Sequence, residues 1–363
     1  MPKVLIAPLD WGLGHTTRCI PLIESFRKEG WEITLAAEGA GAELLQQAFP
    51  EIPLLNLKGY RIRYAKKLIN WKIIQQIPNI LSSIRYEKKW LDDQYADERW
   101  DLIISDNRPG FRHPKAYNVY ITHQLHIQTG FGKWANALAS FTHHSYIKKF
   151  NELWIPDLEG NKNLAGQLAH PVLSFLPTHY LGLISRLNSN PSTTTIYDLL
   201  FLLSGPEPQR SLFEEIIINQ IRPHHGKILL VRGTKDAIIR PPIPTNVEVI
   251  HLANSHELNQ YMLQSKFIIC RSGYTTLMDL MRLKKKALLI PTPGQGEQEY
   301  LAQYAVQQNY FPSLSQDAFD IDQAMKELDT FNYDFPFNES DFQLYEKVIK
   351  EIISPSQRGI IYI

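Results

Sequence analysis

Short apolar runs alternate with helix-patterned stretches along this chain of 363 residues, and the alternation occurs twice. In the first half KVLIAPL (3–9), EITLAAE (32–38), PLLNL (53–57), DLIISD (101–106), YNVYIT (117–122) and ELWIP (152–156) read as strands. Helical patterns lie between them: Cys19, Leu22, Ile23 and Phe26 with Gly30 as a stop, then residues 40–48, then 66–98 with a break near Pro78. The pattern restarts beyond residue 180 with strands DLLFLLS (198–204), KILLVRG (227–233), VEVIHL (247–252), KFIIC (266–270) and KALLIP (286–291). Helices are predicted over 208–222, 255–264, 274–283, 297–308 and 340–353. Apolar strands separated by helices build parallel sheets covered on both faces. The predicted fold class is therefore α/β, with two doubly wound Rossmann-like domains facing a cleft. The proline-containing stretch 171–191 is the linker candidate, which gives an N-terminal domain 1–178 and a C-terminal domain 179–335. Residues 336–363 are expected to form a helix and tail that pack back on the first domain.

Composition narrows the partners. The formal net charge is +1, which gives no reason to expect nucleic acid. The two cysteines, Cys19 and Cys270, sit in separate halves among apolar neighbours, so they read as buried hydrophobes of a reducing compartment. The run Val4 to Leu9 is too short for a signal peptide, and no stretch approaches the ~20 apolar residues of a membrane span. A cytoplasmic location is expected. Residues 61–89 mix Arg61, Arg63, Lys66, Lys67, Lys72, Arg85, Lys88 and Lys89 with Leu68, Trp71 and Ile74, and Tyr60 and Trp90 flank them. That mixture fits either peripheral contact with a bilayer surface or a solvated helix pair. His123 and His126 lie three apart, a spacing that would place them on one helical face, but no carboxylate or further histidine has matching spacing, so no metal and no cofactor are expected. His143 and His144 read as surface helix residues, and Asp320 and Asp322 as a helix start.

Ligands on doubly wound sheets bind outside the carboxyl ends of the strands, so the residues just after strands carry the chemistry. The first strand runs into Gly12, Leu13, Gly14 and His15. Glycines leave room for a ligand, and the helix behind them points free N–H groups at the cleft. His15 can serve there as a base or simply pack in the first turn. Asp106 ends a strand on the same edge, either to orient His15 or to open the turn that follows. In the second half Ser204 and Gly205 follow one strand, and Arg271, Ser272, Gly273 and Thr276 follow another, with Asp279 one turn into the next helix. These suit a phosphate and a ribose diol, or are plain helix starts. Gln298 and Glu299 open the helix after a third strand, with side chains suited to sugar hydroxyls or, for the glutamate, to the helix dipole.

Two stretches, GLGHTTRCIPL and RSGYTTLMDLMRLKKKALLIPTPGQGEQEYLA, resemble the GT-B glycosyltransferases. The nearest likeness is to the lipid-linked N-acetylglucosaminyltransferases of peptidoglycan synthesis, glycosyltransferase family 28. The resemblance implies that Gly12 and Gly14 lie near donor phosphates and that His15 with Asp106 forms the base dyad. It implies diphosphate contacts from Ser204, Gly205 and Arg186. Arg271, Ser272, Gly273 and Thr276 would form the helix-mouth turn, with Asp279 at the ribose and Gln298 and Glu299 at the donor sugar. Thr122, His123 and Gln124 echo the acceptor motif. The chain departs from the family in a shorter first glycine run, Asp for Glu at 279 and Glu for Gln at 299. The implied reaction is metal-independent transfer of a sugar from a nucleotide-diphosphate donor, UDP-sugar favoured, to a hydroxyl acceptor that lipid linkage would suit. The G-x-G-H-x-x-R pattern of Gly12, Gly14, His15 and Arg18 also resembles nucleotide-sugar hydrolases. A nucleotide-sugar epimerase and a catalytically silent nucleotide-sugar-binding protein complete the alternatives.

Overall fold

The computed structural model describes residues 1–61, 76–190, 193–236 and 242–353. Two parallel sheets organise them. The first contains β1 (Lys3–Pro8), β2 (Glu32–Ala37), β3 (Leu54–Asn56), β4 (Leu102–Asp106), β5 (Tyr117–Ile121), β6 (Glu152–Ile155) and β7 (Thr178–Tyr180), in the order β3-β2-β1-β4-β5-β6-β7. The second contains β8 (Tyr197–Leu202), β9 (Ile228–Val231), β10 (Val247–Ile250), β11 (Ser265–Cys270) and β12 (Ala287–Leu289), in the order β10-β9-β8-β11-β12. Val4, Leu5, Ile6 and Ala7 are all fully buried, which is why β1 is apolar without alternation: helices cover both of its faces.

The helices among the described residues are α1 (Leu13–Lys28), α2 (Gly39–Ala48), α3 (Ile77–Gln94), α4 (Lys133–Ile147), α5 (Gln209–Gln220), α6 (Ser255–Leu263), α7 (Tyr274–Leu283), α8 (Gly296–Gln307), α9 (Ile321–Thr330) and α10 (Leu344–Ile353). The strand order reverses between β1 and β4 in one sheet and between β8 and β11 in the other. The turns after those strands are the crevices where such sheets take ligands. The registers Pro8↔Asp106 and Leu202↔Cys270 set the paired turns side by side.

An apolar seam joins the two units. Leu181, Leu183 and Ile184 share one cluster with Tyr274, Leu277 and Met278. The chain then returns: α10 lies against α1 and β7, and Leu183 N donates to Asp341 O at 2.9 Å. Gly182 makes that crossing possible. Its φ is +73°, and a Cβ there would stand 2.1 Å from Asp341 O.

Three details differ from the pattern reading. β7 falls within 171–191, read as linker; its residues are only half-buried, so this edge strand carries no apolar run. His143 and His144 face inward, not to solvent. His143 Nε2 pairs with Tyr120 Oη at 3.0 Å, and burial with His144 beside it pushes His143 down to about 4. His144 Nε2 donates to Leu125 O at 2.7 Å. The solvent face of α4 instead shows Trp134, Leu138 and Phe141, 92%, 68% and 73% exposed. Residues 120–126 are not helical, so the three-residue spacing of His123 and His126 does not place them on one helical face.

Gly182→Ala is expected to lower unfolding free energy by about 1–3 kcal/mol or more, since both the left-handed backbone and the contact with Asp341 oppose it. Urea unfolding measures the loss, and faster proteolysis near residues 338–344 locates it; unchanged stability would contradict this packing.

Candidate active site

His15 and Arg18 are three residues apart on α1 and so share a helix face. Both meet Asp106, which β4 delivers fully buried. His15 Nδ1 lies 3.0 Å from Asp106 Oδ1. Arg18 Nε donates to Asp106 Oδ2 at 2.7 Å, and Arg18 Nη2 donates to Oδ1. Burial alone would raise the Asp106 carboxyl; the Arg18 guanidinium and His15 outweigh it and hold the group well below the usual carboxylate range. The carboxylate therefore stays ionised, and it can hold the His15 ring by Nδ1 with Nε2 left for chemistry. The His15 side chain is 15% exposed, enough to be reached from the cleft.

The same guanidinium spans to the next strand. Arg18 Nη1 lies 3.0 Å from His123 Nδ1, and His123 Nε2 lies 2.8 Å from Glu297 Oε1, across the domain boundary. The His123 ring stacks on Tyr274 with centroids 4.1 Å apart and planes 6° from parallel. Burial lowers the His123 pKa despite Glu297 beside it. Burial would raise Glu297, but its hydrogen bond to His123 and the fields of His15 and Arg18 leave it lowered. Neutral His123 thus accepts from Arg18 at Nδ1 and donates to ionised Glu297 from Nε2.

Two helix ends meet at the cleft. Gly12 caps α1 and Gly273 caps α7, neither with a side-chain hydrogen bond, and Thr275 Oγ1 donates to Gly14 O at 3.1 Å. First-turn N–H groups of both helices thus converge, and an anion is the natural partner for them.

The C-terminal turns pack together behind that point. Ser272 Oγ donates to Gln298 O at 2.7 Å, Thr292 N to Gln298 Oε1 at 2.9 Å, and Gly294 N to Glu299 Oε1 at 2.7 Å. A Cβ on Gly205 would lie 3.8 Å from Thr292 Oγ1, so the Ser204–Gly205 turn borders the same loop. Gly273 likewise approaches Thr276 Oγ1. Gly296 must be glycine because a Cβ would sit 2.6 Å from Gln128 O in the opposite domain. Asp279 accepts from Ser185 Oγ at 2.5 Å, and burial pushes its carboxyl up to about 6, against Ser185 and Arg186. Arg186 Nε and Nη1, Thr292 Oγ1 and Gln295 Oε1 are buried without a hydrogen-bond partner among the described residues. Buried polar atoms left unpaired in this way are expected at a ligand site.

Arg271 is not brought to this place. Its guanidinium donates to Ile290 O, Pro291 O, Gln209 O and Gln316 Oε1 and lies over the Phe213 ring, so its donors brace the inside of the domain. The Gln124 backbone N–H donates to Thr122 Oγ1 at 3.0 Å.

Residues 220–346 match the glycosyltransferase family 28 C-terminal domain. An uncharacterized glycosyltransferase of Methanosarcina mazei is 23% identical over 341 residues, 86% of each chain. Solved structures share the architecture at low identity. The glycotransferase of kitacinnamycin aligns with a TM-score of 0.65 at 13% identity, over 97% of this chain and 95% of that one. MurG of Acinetobacter baumannii aligns at 0.55 and 12%, over 97% and 99%. The spinosyn rhamnosyltransferase SpnG complexed with thymidine diphosphate aligns at 0.58 and 14%, over 98% and 96%. The chain has the GT-B fold, and its residues 220–346 are similar to the family 28 C-terminal domain.

Two members of this network, Arg18 and Glu297, have roles that the pattern reading did not assign, although Arg18 stood in the G-x-G-H-x-x-R pattern. Arg18 had a usable signal, its three-residue spacing from His15. Glu297 had none, because its partner His123 is 174 positions away. On the N-terminal side a cavity of ≈380 Å³ is lined by Asp10, Leu13, Thr16, Glu38, Gly41 and Arg61, among others. Asp10 accepts from Tyr60 N and Arg61 N, and Glu38 accepts from the Arg61 fork at 2.8 and 2.7 Å. Among the described residues one group, His224, His225 and Asp322, has metal-like spacing. Its two histidines precede β9, at the end of that strand away from the cleft, and His225 Nδ1 accepts from Arg222 N at 2.9 Å. Neutral His225 then carries its proton on Nε2, the atom 3.1 Å from Asp322, so the trio is a hydrogen-bonded brace. Asp320 caps α9 through Gln323 N.

Folding favours protonated Asp279, because its folded value is above the unfolded ~3.9; stability must fall as pH rises from ~4 to ~7, by about 2–3 kcal/mol. Asp279→Asn keeps an acceptor for Ser185 and should flatten the stability profile by that amount. Urea titrations at pH 4, 5.5 and 7 measure it, and equal slopes in both proteins would refute the assignment.

Proposed function

We propose that this protein transfers a sugar from a nucleoside-diphosphate sugar, UDP-sugar favoured, to a hydroxyl acceptor without a metal. The observation that carries the reading is the meeting of two uncapped helix N-termini, one from each domain, beside the His15–Asp106 pair. His15 Nε2 accepts the proton of the acceptor hydroxyl as its oxygen attacks the anomeric carbon. The bond to the diphosphate breaks, and its charge passes to the amides of α1 and α7, the Ser204–Gly205 and Ser272–Gly273 turns, and Arg186. Thr276 completes the helix-mouth turn. Asp279 takes the ribose diol, for which its ionised form is the better acceptor. Gln298 and Glu299 brace their loop through Oε1 and meet the donor sugar with their remaining polar atoms. Arg271 acts in this scheme only as the brace behind the turn. The cavity beside Asp10 and Glu38 receives the acceptor.

His15→Ala should lower turnover by about 10²–10⁴-fold while leaving thermal stabilisation by UDP intact. Product analysis decides the acceptor: sugar released to water in the absence of any acceptor identifies a hydrolase. Undiminished activity in His15→Ala, or no stabilisation by any nucleoside diphosphate, overturns the proposal.

A lipid-linked acceptor is supported by α4. Trp134, Leu138 and Phe141 recur at positions 1, 5 and 8 of one face and are largely exposed. Residues 107–151 contain no Asp or Glu, and Lys133, Lys148 and Lys149 flank the helix. Most of the basic-aromatic stretch noted in the sequence, including Lys66, Lys67, Leu68, Trp71, Lys72 and Ile74, lies outside the described residues. Among the described residues no helix is long and apolar enough to cross a membrane, so a bilayer would be met by this face. Trp134→Ser with Phe141→Ser should weaken sedimentation with anionic vesicles by roughly tenfold or more, from ~1.5–3 kcal/mol per large apolar side chain. Equal binding by the double variant and the parent would exclude this face.

A further inference from the structure

The cleft holds one chain of hydrogen bonds in which chemistry dictates every donor and acceptor except at its last histidine. Arginine can only donate, and an ionised carboxylate can only accept. Glu297 Oε1 therefore accepts from His123 Nε2, leaving His123 Nδ1 as the acceptor for Arg18 Nη1. Arg18 Nε and Nη2 donate to the two oxygens of Asp106. Asp106 Oδ1 also stands 3.0 Å from His15 Nδ1.

His15 Nδ1 has a second neighbour. Arg18 Nη2 is only 2.8 Å away. The ring nitrogen thus faces an obligatory acceptor and an obligatory donor at once. If Asp106 takes the contact, Nδ1 carries the proton and Nε2 has a lone pair for the acceptor hydroxyl. If Arg18 takes it, Nδ1 accepts, the proton sits on Nε2, and the ring cannot act as a base there. The guanidinium is a rigid planar fork, so the anchor at Nη1 sets where Nη2 points. His123 is that anchor, and Glu297 fixes its tautomer. Without Glu297, His123 is free to place a proton on Nδ1, where it would confront the Nη1 donor and push the fork away.

We propose that Glu297 is a positioning residue for His15: acting through His123 and Arg18, it selects the His15 tautomer that can accept a proton. The inference rests on the sugar-transfer reading only for its kinetic consequence. Glu297 opens α8 in the C-terminal domain, whereas His123, Arg18, Asp106 and His15 belong to the N-terminal one. The base is therefore set by the seating of one domain on the other. The Tyr274 stack on His123 and the backbone approach of Gly296 to Gln128 hold that seat. The carboxylate of Glu297 is about a quarter exposed and sits at a turn, so its replacement need not disturb a core.

The test is the nitrogen chemical shifts of His15 in the full-length protein, assigned with His15→Gln and compared among parent, Glu297→Ala and Glu297→Gln. The parent should show Nδ1–H. Glu297→Ala should move the population toward Nε2–H, and Glu297→Gln, which keeps an acceptor oxygen for His123, should restore it. Kinetically, Glu297→Ala should reduce kcat by roughly tenfold or more with KM for the nucleotide sugar within about twofold, and Glu297→Gln should recover most of kcat. An unmoved His15 tautomer in Glu297→Ala overturns the proposal. So does a loss confined to KM, which would make Glu297 a substrate contact. A shifted tautomer in a protein that turns over no nucleotide sugar would uphold the positioning role and reject the sugar-transfer reading instead.

Discussion

A buried charge pair, Arg18 with Asp106, underlies the rest of this cleft. Removing a carboxylate from water costs several kcal/mol unless partners replace the lost hydration. Arg18 supplies both oxygens of Asp106 with donors, and the pair in turn meets His15 on one side and His123 on the other. The parallel register Pro8↔Asp106 is what places the carboxylate at the first turn of α1, where both partners already lie one helical turn apart. A shift of one residue would point Asp106 to the other face of the sheet and leave Arg18 without a counter-charge.

From that pair the structure reaches across to the second domain. Most of the interdomain polar contacts near the cleft use a backbone atom on one side: Thr275 to Gly14, Tyr274 to Pro156 and Tyr300 with Gln167. Such contacts fix position and carry little charge. The His123–Glu297 bond is different because it joins an ionised group to the Arg18–Asp106–His15 network. Two helix N-termini and the His15–Asp106 network therefore meet at one interdomain gap. A glycosyltransferase needs that combination, since leaving-group charge and acceptor proton must be handled within a few ångströms of each other.

The doubly wound architecture was legible because each half repeats apolar strand, turn and helix with few interruptions. Beyond their leading lysines KVLIAPL and KFIIC are apolar since their strands are covered on both faces. β7 was missed since Thr178, His179 and Tyr180 are half-buried at a sheet edge and carry no such run. α4 misled in the opposite sense: its histidines turn inward and its large apolar residues outward, so the polarity rule reads the wrong face. The glycine-serine turns were legible because tight turns at helix mouths need small residues. Arg271, next to one such turn, looks identical in sequence to a ligand contact, yet its side chain runs backward into the domain.

The sequence by itself determined the two parallel sheets, the positions of the glycine-serine turns and the presence of His15 and Asp106 at carboxyl strand ends. Local periodicity and turn chemistry suffice for these, because each depends on residues within a few positions of one another. Only the tertiary structure decided that Arg18 holds Asp106, that His123 serves a C-terminal glutamate, and that Arg271 braces the domain interior. Those outcomes depend on side-chain direction and on contacts between residues far apart in the chain, which strand register and domain seating fix and local pattern does not.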